Sequence, residues 1–166
     1  MARIEGVCRE VCEASEYVTI VTNGPDGPHL AGHWGNYMRI VEPGDVAVFP
    51  VGRFQRTEQN LRANGRIQLL VASRKVQGTR SPGQGCVIAG SGEIVTDGEY
   101  LDLVHEKFPW ARGALVMRVA SMSSEVRSTS ARSRMWPVLP PGAAQASSTR
   151  KGYAARRSPC RGKSSR

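Results

Sequence analysis

The sequence predicts a mainly β chain: a closed antiparallel barrel accompanied by helices, followed by a tail without structure. Three observations carry this. Segments rich in β-branched residues recur at short spacing from residue 17 to residue 122, a pattern of barrels. The chemistry between them is that of hairpins and tight turns, as in Asn23-Gly-Pro-Asp-Gly-Pro28 and Glu42-Pro-Gly-Asp45. All periodicity stops after Met122.

Ile4, Val7, Cys8, Val11 and Cys12 recur at helical spacing, so residues 3–15 read as an amphipathic helix. Strands follow at 17–22, 29–34 and 36–41, with Gly35 as a bulge or bend, and then at 46–51. The polar run 55–65 is a helix, with Thr57 as candidate N-cap and Gly65 as terminator. Residues 66–73 form a strand, 74–85 a basic, glycine-rich loop or hairpin end, and 86–95 a long strand bent at Gly90 or Gly92. A helix capped by Asp97 covers 97–108, and a last strand covers 113–122.

Charge divides the chain at the same point. Residues 1–122 hold 13 Lys or Arg and 13 Asp or Glu, whereas 123–166 hold 10 Lys or Arg and one acid, Glu125. The net +9 therefore belongs to the tail, and the high pI does not make the body a nucleic-acid binder. The tail, rich in Ser, Arg, Ala, Pro and Gly, cannot bury enough apolar surface to offset its ordering entropy and is expected to be disordered. Two readings of it stand: a basic tail for polyanions such as nucleic acid, or a frameshift-derived end. The division predicts a domain at 1–122 and a tail at 123–166.

No secretory-type apolar core and no run of about 18 apolar residues occurs, so a cytoplasmic location without membrane association is expected. Cys8 and Cys12 lie one helical turn apart, but no second pair completes a metal site, and packing as small hydrophobes is the expectation. The common catalytic motifs are missing, and "GQGCVIAGSG" has the wrong spacing for a dinucleotide fingerprint. No catalytic residue is assigned.

One stretch has the parts of an anion site: "PVGRFQRTEQNL", residues 50–61. A strand ends at Gly52, Arg53 and Arg56 bracket a short loop, and Thr57 opens a helix whose first N–H groups are free to bind an anion. A capped surface helix with solvated arginines is the alternative. Ser73-Arg74-Lys75 is a second basic cluster, readable as a solvated strand end. Trp34, Tyr37 and Trp110 could flank a flat heterocycle or pack in a core or interface.

Several segments in order, "DGPHLAGHWGNYMRI", "FPVGRFQRTEQNL", "ASRKVQGTRSPGQGCVIAGSGEIVTDGEY" and "FPWARGALVMRV", resemble the short FMN-binding proteins of the pyridoxamine 5'-phosphate oxidase-like split-barrel superfamily, over residues 3–122. The resemblance implies a six-stranded Greek-key FMN-binding split barrel and a homodimer with one FMN per subunit near the interface. It places the phosphate at Arg56 and Thr57, and Pro50, Val51 and Gly52 along the isoalloxazine or ribityl group. Gly32, His33 and Trp34 would offer backbone hydrogen bonds to the ring, Trp34 and Tyr37 would lie against it, and Trp110 would approach across the interface. Arg53 stands where the family has a second glycine, Arg56 replaces a lysine, and His33 replaces a small hydroxyl residue. The additional substrate-binding segments of true pyridoxamine phosphate oxidases are missing.

The implied function is a non-covalent flavoprotein, an electron carrier or small oxidoreductase with an unknown redox partner. A split barrel handling haem or a deazaflavin, with His29 or His33 as a possible ligand, and polyanion binding through the tail are the alternatives.

Overall fold

The computed structural model describes residues 2–78 and 82–124. Its elements are α1 (Gly6–Ala14), β1 (Tyr17–Gly24), β2 (Gly27–Trp34), a 3₁₀ turn at Gly35–Tyr37, β3 (Arg39–Val41), β4 (Val46–Val51), α2 (Gln55–Asn64), β5 (Arg66–Gln77), β6 (Pro82–Val95), α3 (Glu99–His105) and β7 (Gly113–Ser123). Seven antiparallel strands run in the order β2-β1-β5-β6-β7-β4-β3. This is one strand more than the six that the resemblance implies; the shortest, β3, has three residues and pairs with β4 alone.

Alternation builds the barrel wall. Val18, Ile20 and Thr22 of β1 are buried while their neighbours are not, and Ile67, Leu69 and Val71 of β5 repeat the pattern, as a half-buried strand requires. β4 is buried at all six positions. Ala47, Phe49 and Val51 join the barrel core, and Val46 and Val48 face a second cluster with Val104 of α3, Ala114 and Val116. The sheet also curls on itself. His33 of β2, the first strand in the order, hydrogen-bonds the Pro50 carbonyl of β4, the penultimate one, at 3.0 Å.

Three local readings are refined. Thr57 is not the N-cap of α2; Phe54 is, in the left-handed region at φ 36°, so Thr57 becomes the third helical residue. Gly98 rather than Asp97 caps α3. Of the two glycines proposed for the bend in β6, the register shifts between Ala89 and Gly90, and a Cβ at Gly90 would collide with the Arg118 carbonyl oxygen. Gly65 ends α2 as expected.

α1 packs Cys8, Val11 and Cys12 into the barrel core, where the Cys8 and Cys86 sulfurs stand 2.7 Å apart. Among the described residues no helix is long and apolar enough to cross a membrane. Of the predicted tail, Ser123 closes β7 and Ser124 follows it; residues 125–166 lie outside the described residues.

Candidate functional site

An open groove of about 800 Å³ runs along the seam between β2 and the β4–α2 connection. Nine of the eleven residues singled out in the sequence line it: Gly32, His33, Trp34, Pro50, Gly52, Arg53, Arg56, Thr57 and Trp110. Val51 is wholly buried in the barrel core. Tyr37 stands behind the groove, its ring 5.4 Å from His33, 4.5 Å from Phe108 and 6.2 Å from Trp110. Trp110 lines the groove of its own chain, 3.5 Å from where a Cβ on Gly52 would stand.

One part of the groove brings together the start of α2, a buried hydroxyl and two arginines. The first turn of α2 has no side-chain cap, which leaves its leading N–H groups to a ligand. Thr57 lies in that turn with its hydroxyl fully buried and without a hydrogen-bond partner among the described residues. Arg53 is exposed on the rim, and Arg56 pairs with Asp26 at the tip of the β1–β2 hairpin. Aromatic side chains line the rest of the groove: Tyr17 and Trp34, paired across β1 and β2, beside Gly32, and Trp110 beside Gly52. A Cβ on Gly32 would meet the Tyr17 hydroxyl, so a larger residue there would require the exposed Tyr17 side chain to move.

Residues 4–136 match the family profile described as pyridoxamine 5'-phosphate oxidase. The chain belongs to that family. It is 39% identical over 118 residues to the FMN-binding protein of Nitratidesulfovibrio vulgaris, a match spanning 71% of this chain and 95% of the relative. Solved structures with the same fold include HupZ of Group A Streptococcus, at TM-score 0.57 and 16% identity over 69% of this chain and 90% of that one. Another is an FMN-binding protein from Syntrophomonas wolfei, at TM-score 0.52 and 14% identity over 69% and 86%.

Within this family member, His33 has a structural task. The Trp34 N–H donates to Nδ1 at 2.9 Å, so Nε2 carries the proton and donates to the Pro50 carbonyl. The ring stacks on Phe54, centroids 5.4 Å apart with planes 17° off parallel, and lies 5.6 Å from Phe49. Both nitrogens are engaged, which leaves neither for a metal. Burial lowers its pKa below the ordinary 6.5, outweighing the opposing effect of the Pro50 bond.

A base with a depressed folded-state pKa contributes stability that is complete above the unfolded value and is lost as pH falls below it. The denaturation midpoint is therefore expected to drop between pH 7.5 and pH 5. His33→Gln, which can still donate to Pro50 but does not titrate, should flatten that drop. Equal pH dependence in the two proteins would mean that His33 is not held neutral.

Sequence reasoning missed four groove residues, Tyr17, Ala31, Phe54 and Gln55, and offered His29 only as a haem ligand in the alternative reading. It also missed Arg112, which binds the β4–α2 connection from behind. Tyr17 and Phe54 carried an aromatic signal, but their relevance rests on register and backbone conformation. Ser73, Arg74 and Lys75 line a separate groove of about 570 Å³ with Ala14, Glu16 and Tyr17, and Lys75 approaches Glu16 at 3.7 Å.

Proposed function

We propose that this chain is a non-covalent FMN-binding flavoprotein of the cytoplasm that passes electrons or a hydride to a partner not yet identified. The observation that carries the reading is the buried Thr57 hydroxyl, without a partner among the described residues, in an uncapped helix start that opens on a groove lined also by Tyr17, Trp34 and Trp110. An isolated buried hydroxyl costs about 1–3 kcal/mol, and a phosphate oxygen would relieve it. The likeness to a relative named as an FMN-binding protein supports the same ligand.

Thr57, the N-terminal amides of α2, Arg56 and Arg53 would hold the phosphate. Arg56 would exchange the Asp26 carboxylate for it. Trp34 and Trp110 would flank the ring, with Gly32 leaving the approach to β2 open. Phe54 and the neutral His33 would keep water and positive charge from beneath it. When bound, FMN supplies one- or two-electron redox chemistry, which the protein tunes through hydrogen bonds and nearby charge.

We propose further that the protein is a homodimer with the flavin near the interface. The register puts Leu30 beside Val21 and Leu70 beside Thr19, and Tyr17 beside Trp34. Leu30 is 64% and Leu70 41% exposed. This apolar face of β1, β2 and β5 borders the groove at Tyr17 and Trp34, which a partner chain would cover.

The test uses the full chain, incubated with FMN or riboflavin, desalted, and read by visible spectrum and quenching titration. FMN is expected to bind at least about 100-fold more tightly, the yield of two charge-assisted hydrogen bonds. The FMN sample is expected to sediment at twice the chain mass. Equal affinity for riboflavin would remove the phosphate from the site. Retention of haem or a deazaflavin in place of FMN would transfer the groove to that ligand. Polyanion binding rests on tail charge alone and predicts a steep salt dependence.

A further inference from the structure

We infer that Arg112 is the positioning residue of the phosphate end, acting through the backbone of the β4–α2 connection rather than by touching the ligand; the inference rests on the FMN reading above. Arg112 immediately precedes β7 and binds three successive carbonyls, that of the last β4 residue and the first two of the connection. Its backbone N–H donates to Val51 O at 2.9 Å, Nε to Gly52 O at 2.7 Å and Nη2 to Arg53 O at 2.8 Å. In a planar trans peptide the carbonyl and the following N–H point opposite ways. With the carbonyls of 51, 52 and 53 turned to Arg112, the N–H groups of Gly52, Arg53 and Phe54 are turned away from it. Those three residues line the groove, and Arg112 does not.

Two further facts fit this role. Phe54 holds a left-handed conformation, φ 36° and ψ 28°, which persists only where surrounding structure over-determines it. Arg112 supplies one anchor by binding the carbonyl just before Phe54, and the stacked His33 ring supplies the other. Glu58, in the first turn of α2, would repel a phosphate at the helix start. Its carboxylate is taken up by Arg112 at 2.6 Å on one oxygen and by Arg62 at 2.6 Å on the other, with only 16% of the side chain exposed. A guanidinium fork meets backbone and carboxylate acceptors together, whereas an ammonium on a flexible stem is a single point charge.

The experiment compares FMN and riboflavin dissociation constants for the full-length wild type, Arg112→Met and Arg112→Lys, together with apo melting temperatures. Arg112→Met is expected to weaken FMN by about 10- to 100-fold while riboflavin changes by less than about 3-fold. Arg112→Lys, which keeps the charge and is the fallback should Arg112→Met not fold, is expected to fall between the two. The FMN-to-riboflavin ratio is the decisive readout, because a merely structural role would weaken both ligands in parallel. If the wild type discriminates between the ligands and the variants keep its ratio, the positioning role is overturned and the FMN reading stands. If the wild type does not discriminate, both fall.

Discussion

Thr57→Val is expected to make the apo protein more stable and FMN binding about 10- to 100-fold weaker, two quantities that commonly fall together. The hydroxyl is fully buried and has no hydrogen-bond partner among the described residues. Its replacement by a methyl group of nearly the same shape loses no hydrogen bond and removes a desolvated polar group, a gain of about 1–3 kcal/mol. Helix propensity is neutral to the exchange, both residues being β-branched and close in rank. Riboflavin, which has no phosphate, should bind the variant as it binds the wild type. Melting of the apo proteins and quenching titrations with both flavins settle the matter. A destabilised variant would show that the hydroxyl has an internal partner in solution. Unchanged FMN affinity would place the phosphate elsewhere.

What the sequence disclosed follows from which interactions are local. Strands β1 and β5 were legible because alternation of buried and exposed residues is a property of consecutive positions. The helix start near residue 55 was legible as a polar run after an apolar strand, but Thr57 was misplaced as its cap. The actual cap depends on a phenylalanine at positive φ, a conformation that phenylalanine rarely adopts. Arg112 was illegible for a different reason. Its acceptors are backbone carbonyls about 60 residues earlier in the chain, and carbonyls have no residue-type signature. The choice between Gly90 and Gly92 needed the register against β7. Gly52, Arg53, Arg56 and Thr57 were legible as the local pattern of an anion site and Pro50 came from the family resemblance, whereas Tyr17 required knowing that it pairs with Trp34 across β1 and β2.

The largest loss of stability is expected at Phe49. Its ring is fully buried in β4, opposite Leu115 of β7, and lies 5.6 Å from His33 on β2. Phe49→Ala should cost about 3–5 kcal/mol from lost transfer energy and residual cavity, a large share of the 5–15 kcal/mol typical of a domain. Phe49→Leu keeps most of the volume and should cost about 1 kcal/mol. The position matters beyond its size, because β2 and β4 stand near opposite ends of the strand order and meet through His33, Pro50 and Phe49. Removing the ring opens space beside the imidazole, where water eases its protonation, so the stability drop between pH 7.5 and pH 5 should shrink in Phe49→Ala. A double-mutant cycle of Phe49→Ala with His33→Gln, followed by denaturant unfolding at pH 7.5, is expected to give a coupling of about 0.5–1.5 kcal/mol. Additive losses would mean that the two residues stabilise the barrel independently, and that the seam beneath the groove is closed by the Pro50 hydrogen bond alone.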